Sequence, residues 1–392
     1  TCALPISATH IGDLTDTQVA VLTATQLAQL NATQIKGFGS NDIIALTTTQ
    51  LAGLTVTQLS ALDTTDLQAL TTTQIASLST TQVKGLTATQ IGDLGDTQAA
   101  VLTATQVGAL TTTQLKAIET TDLAELSVTQ LGQLTATQVA SFTAAQIVQL
   151  SETQLAGLST TQLSGLTATQ IASVETADLQ LLTTTQIAAL STTQIGGLGT
   201  MIASLAATQL PVLTSAQVGA LSATQIQSLA DADLQALTTT QVSGLTTTQL
   251  GALLTTDLQL LAASQISALS TTQIKGLSAT QIGNLTTTQV TVLTAAQVGA
   301  LTATQVKGIE TTDLPELSTT QLSQLTTTQL TAFSTTQIQA LTETQFAGFS
   351  TTLVASLMGT QMAALSTGNL QDRMSTRLNS SHTDISRMPS SA

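Results

Sequence analysis

The side chains in this sequence that are equipped for chemistry are chiefly a small set of regularly placed acids. Asp66, Asp122, Asp178, Asp233, Asp257 and Asp313 stand where most eight-residue units have Gln, and four of them follow another acid three residues earlier, at Asp63, Glu119, Glu175 and Glu310. Clustered carboxylates suit a weak divalent-cation site, because hard cations take several carboxylate and carbonyl oxygens together. The same spacing is also an acidic form of a helix capping box, in which a carboxylate faces the positive end of a helix. No DxDxDG-like loop or Gly-rich nonapeptide accompanies these acids. The acidic box is therefore the expectation, and no metal ligand is assigned.

The other reactive types lack partners. His10 occupies the Gln position of SATHIGDL, and the only other histidine, His382, lies in a tail of different composition. A catalytic or metal-binding histidine needs companions, so His10 reads as a tolerated substitution. Serine and threonine abound, but a serine nucleophile needs a base and an orienting acid, and this inventory does not supply them repeatedly. There is no GxxxxGK[ST] loop to cradle a phosphate. Lys36, Lys84, Lys116, Lys275 and Lys307 read as solvent-facing residues. No catalytic, cofactor-binding or metal residue is expected, and the chain is not expected to be an enzyme.

Composition narrows the remaining classes. The net charge is −14, and a strongly acidic chain is a poor match for nucleic acid or anionic lipid, which are held by clustered Lys and Arg. No apolar run approaches membrane-spanning length, since a Thr/Gln block interrupts every unit. The single cysteine, Cys2, excludes a disulfide framework. Residues 1–6, TCALPI, and 372–392, DRMSTRLNSSHTDISRMPSSA, resemble translated sequencing adaptors, with Met374 where the adaptor encodes Lys. All three arginines lie in that second stretch. Residues 1–7 and 372–392 are accordingly expected to be non-native, and 8–371 to be one repeat region of a larger, environmentally derived gene.

The elements that position these residues follow from a fixed period. Leu46, Leu54, Leu62 and Leu70 are eight apart, and Leu51, Leu59 and Leu67 form a second series, giving the unit L-[ST]-x-T-Q-[LIV]-x-x. In one such unit, Ser191 and Gln194 have capping-box spacing, while Leu190 and Ile195 occupy the two positions of a hydrophobic staple. Small residues such as Gly196 and Gly197 follow, where glycine could close the helix in a left-handed conformation. The pattern predicts an all-α solenoid of very short helices, one per octad. The alternative is a β-solenoid, because Thr and branched aliphatics favour strands. Against a straight strand, Leu190 and Ile195 are five apart and would point to opposite faces. Repeated Thr and Gln are expected to form ladders between adjacent units. Regular Thr-x-Thr spacing also raises ice binding, which would need a flat array of strands.

A second period, which reads as an internal duplication of a long block, overlies the first. IETTDLAEL at 118–126 returns as IETTDLPEL at 309–317, an offset of 191 residues. Lys84 and Lys275, and Lys116 and Lys307, keep that offset. The residue missing from a whole number of octads is visible in LGTMIASL, where Leu198 and Leu205 are seven apart. The octads resemble the tandem Leu-Ser/Thr-x-x-Gln-aliphatic repeats of large bacterial secreted or cell-surface proteins, including adhesin-like chains that carry haemolysin-like calcium repeats elsewhere. That resemblance spans 8–371 and implies a non-catalytic structural or adhesive stalk, outside the cell or on its surface, joined to neighbouring domains of a parent chain and making multivalent contact with a surface or polymer. The alternative is a repeat module with its own ligand: carbohydrate, ice or a divalent cation.

Overall fold

The computed structural model describes residues 7–365; the adaptor-like stretches, apart from Ser7, lie outside the described residues. Among the described residues there are 42 α-helices, three 3-10 helices and no strand. The chain is thus the all-α solenoid of short helices, and the β alternative is overturned.

The local cause is the box and staple acting together. In the helix Thr192–Gly197 the cap residue Ser191 is extended, at φ −69° and ψ 160°, and its hydroxyl accepts from the Gln194 N–H. The Gln194 Oε1 accepts from the Ser191 N–H at 2.8 Å. Leu190 and Ile195 are both buried. A single helical turn is unstable alone because nucleation is costly. A good cap contributes about 1 kcal/mol, whereas each fully buried Leu or Ile contributes roughly 1.5–3 kcal/mol. Packing therefore supplies most of the stability, and the cap sets where each turn begins.

Termination departs from the expectation. Among the described residues Gly199, at φ 55°, is the one residue with positive φ, so left-handed glycines do not close the octads. The Leu that opens the next octad closes many of them instead: the Leu54 N–H bonds the Leu51 carbonyl at 3.1 Å, and Leu54 then turns extended at ψ 135°. The small residues serve close approach. A Cβ on Gly85 would come within 2.1 Å of Val56 Cγ1, and one on Gly37 within 2.1 Å of the Ala8 carbonyl oxygen. Gly199 lies in the seven-residue interval, where the helix gives way to a 3-10 helix, Gly199–Ser204. Proline acts similarly at Pro211 and Pro315, within the 3-10 helices Leu210–Val212 and Leu314–Glu316. Lacking an N–H, proline removes one i→i−4 bond; 191 residues before Pro315 stands Ala124, inside the α-helix Thr120–Glu125.

The chain divides into two compact units, Thr1–Gly199 and Thr200–Ala392. In each, the core is two files of aliphatic residues, one from the Leu before the cap and one from the residue after Gln. Leu46, Leu51, Leu54 and Leu59 represent them in the first unit, and Leu245, Leu250, Leu253 and Leu258 in the second.

Candidate functional site

The Gln of the octad is the most heavily used polar side chain. Its Oε1 accepts from the cap N–H of its own unit, as Gln50 does from Thr47 at 2.7 Å. Its Nε2 points the other way and donates to main-chain carbonyls 28 to 31 residues earlier. Gln50 reaches Val19 at 3.0 Å and Leu22 at 2.7 Å. In the second unit Gln249 reaches Val218 at 2.9 Å and Leu221 at 2.7 Å. The chain therefore returns past itself every three to four octads. The expected ladders between adjacent units are replaced by side-chain-to-backbone bonds across one coil turn. Burial explains their geometry: Gln50 and Gln249 are 4% and 2% exposed, and a buried amide without partners would be costly.

The amide bond back to the cap persists where the cap hydroxyl is missing. The Ala262 N–H donates to Gln265 Oε1 at 2.5 Å, and the Met358 N–H to Gln361 Oε1 at 2.9 Å. Gln18 and Gln26, in the first coil turn, are exposed and retain the cap bonds. His10 substitutes for Gln in the same role, with Nδ1 3.2 Å from the Ser7 nitrogen and 2.8 Å from its hydroxyl.

Aspartate at the Gln position is one methylene shorter and, when ionised, has nothing to donate. At Asp66 and Asp313 a hydroxyl 26 residues earlier donates to Oδ1, from Ser40 at 3.0 Å and from Thr287 at 2.8 Å. Burial pushes the Asp66 carboxyl above its ordinary range, with the Ser40 bond opposing and the Asp63 and Asp42 charges adding. Asp122 has Asp96 at that register. Burial, then a hydrogen bond with Asp96, then the charges of Asp96, Glu119 and Glu125 push its carboxyl up to about 7. Asp257 accepts from the Leu254 N–H at 3.0 Å and is half-buried, as are Asp178 and Asp233.

The acidic caps behave unequally. Asp63 accepts from the Asp66 N–H at 2.9 Å, whereas Glu119 and Glu175 make no side-chain cap bond. Glu310 is exposed, 3.4 Å from the Thr312 hydroxyl. Among the described residues no three His, Cys, Asp or Glu side chains are grouped so as to hold a metal ion. Asp42 also belongs at the Gln position and accepts from the Gly39 N–H at 3.0 Å. It and Asp96 escape a reading based on caps alone. The signal for Asp96 is its 26-residue spacing from Asp122, which matches Ser40 to Asp66.

Lys84 and Lys116 line equivalent surface grooves. The first is shared with Thr80, Gly108, Thr111 and Gln138, the second with Ala140, Thr143, Thr167 and Gln170. Many cap hydroxyls are engaged at helix starts, as Thr47 is with Gln50, so the flat strand array that ice binding would need is missing from the described residues.

These features define a helical repeat protein in which the repeated polar residues build the coil itself. A family model, the ALTTAQ repeat, matches residues 59–96, 115–152, 171–201 and 306–343. The chain is similar to that family over those stretches and carries a tandem repeat region. The same cross-turn bonding continues outside them, as at Gln249 and Gln273. No curated protein matches the chain. Among the described residues, no helix is long and apolar enough to cross a membrane.

Proposed function

We propose that this chain is a non-catalytic repeat scaffold, the structural or adhesive part of a larger bacterial secreted or cell-surface protein. The observation that carries this reading is the direction of the Gln side chain. In octad after octad the most regular polar group turns inward to bind the previous coil turn, as Gln82, Gln114 and Gln146 do. The repeat is thus constrained by architecture, and a reactive centre would need constraints of a different kind.

What each octad leaves to solvent is a short polar edge, chiefly the cap Ser or Thr and the Thr before Gln, such as Thr47 and Thr49. Any contact made by one edge can be made by many at regular spacing. Such a surface suits weak multivalent attachment to a cell surface or polymer, where linked contacts raise avidity without one strong site. The paired grooves at Lys84 and Lys116 favour a second reading, a module that takes a carbohydrate or other polymer across successive turns. A deletion series assayed against immobilised cell-wall polysaccharide separates the two. The scaffold reading expects binding to fall progressively with the number of octads removed, wherever they are taken. Loss confined to deletions around 80–116 would replace it with a discrete ligand module.

A further inference from the structure

Asp122 is the point where the coil's bonding scheme breaks. It is 2% exposed, and its Oδ1 is buried with no hydrogen-bond partner. Its neighbour in the previous coil turn is Asp96, on the helix Asp96–Ala100, at the surface. The equivalent register is filled by a hydroxyl donor at Ser40–Asp66 and at Thr287–Asp313. The latter is the duplicated copy of the same pair, 191 residues on. A carboxyl can take that donor's place only while it carries a proton.

We propose that Asp96 and Asp122 form a proton-operated latch between successive coil turns of the first unit, closed while one proton is held between the two carboxyls and loosened when both ionise. The second unit lacks it, because the Thr287 hydroxyl supplies the donor to Asp313 there. The proposal goes beyond the scaffold reading and does not depend on it.

Among the described residues, the helices packed against the one that carries Asp122 supply no cation to compensate. The helix Thr120–Glu125, which carries Asp122, packs on Asp96–Ala100 and on Ala144–Val148. The first contributes only Asp96, and the second has no titratable residue. Flanking Asp122 at the cap and the end of its own helix are Glu119 and Glu125, whose charges act on it in the same direction as burial. Glu152 and Asp178, and Asp231 and Asp257, keep the same 26-residue spacing, but Asp178 and Asp257 are only half-buried. Opening the latch releases one proton to water through the exposed Asp96. Because burial and Asp96 push the folded carboxyl from its ordinary 3.8 up to about 7, the folded state holds the extra proton between those limits. Its contribution is complete below the ordinary value and is lost as pH rises through 7.

The test is hydrogen exchange of the full chain from pH 5 to pH 8.5, corrected for intrinsic rates, comparing peptides over 119–126 with peptides over 310–317. The first should lose protection about tenfold or more relative to the second across that range. Asp96→Thr, which copies the second unit's sequence, should abolish the difference. Equal pH responses in the two peptides of the wild-type chain would overturn the latch. Carbon-13 carboxyl shifts of labelled Asp give an independent readout should a variant fail to fold: one Asp titrating well above the rest supports the proposal, and a common ordinary titration of all of them refutes it.

Discussion

The side-chain amide of Gln114 donates to the carbonyl of Leu86 at 2.7 Å, across 28 residues of chain. The same amide group reaches Val83 at 2.9 Å, while its oxygen accepts from the Thr111 N–H at 2.8 Å. One buried side chain thus starts its own helix and bonds the end of a helix in the previous turn.

Gln114→Ala should therefore cost more than an ordinary cap substitution. It leaves buried carbonyls at Val83 and Leu86 and the Thr111 N–H short of a partner, a loss of about 2–4 kcal/mol. Gln26→Ala, at an exposed position with only the cap bonds, should cost about 1 kcal/mol or less. Urea denaturation of the two variants checks the difference; equal losses would mean that the cross-turn bonds add nothing.

Replacing Asp122 by Gln should stabilise the chain at pH 8, since the longer side chain can donate to the previous turn as Gln114 does and no carboxylate stays buried. The gain should be about 1–3 kcal/mol at pH 8 and smaller at pH 5, where the native carboxyl holds its proton. Thermal melts at both pH values measure it.

Ser40→Ala removes the hydroxyl that donates to Asp66. While the carboxylate is ionised the loss should be about 1.5–3 kcal/mol, because the bond is to a charged group. Burial holds the Asp66 carboxyl above its ordinary range, so the stability tied to its proton is lost as pH rises. The penalty of the substitution should accordingly shrink as pH is lowered and the carboxyl becomes neutral. Denaturation at pH 7 and pH 4 tests the sign.

Glycine positions should divide by what lies opposite. Gly85→Ala places a methyl 2.1 Å from Val56 Cγ1 and should destabilise by about 1–3 kcal/mol through overpacking. Gly359, with nothing within 4 Å of a built Cβ, should tolerate Ala or gain about 0.4–1 kcal/mol from a less flexible unfolded chain. Differential scanning calorimetry of the pair distinguishes packing from a general intolerance of glycine replacement.

The helix starts were legible in the sequence because Ser191, Gln194, Leu190 and Ile195 act within one octad, over distances the chain itself fixes. The role of Gln across turns was hidden for the converse reason. In a uniform repeat every offset by a whole octad looks alike, so nothing in Gln50 itself says whether its amide meets the octad before it or the carbonyls of Val19 and Leu22. Only departures from uniformity carry that register: Ser40 with Asp66, Asp96 with Asp122, and Thr287 with Asp313 all stand 26 apart. Left-handed glycine does not close these helices because Leu54 does, which leaves glycine free to serve close approach, and that shows only when the turns are packed.

Inward-turned Gln amides bond each coil turn to the one before it, as Gln114 does to Leu86, and hydrogen exchange of those amides reads this bonding. In full-length protein labelled with nitrogen-15 at the Gln side chains, the majority class should exchange about a hundredfold or more slowly than free glutamine, with a fast minority that includes Gln18 and Gln26. If all the amides instead exchanged at the rate of free glutamine, Gln would not bond the coil turns to one another.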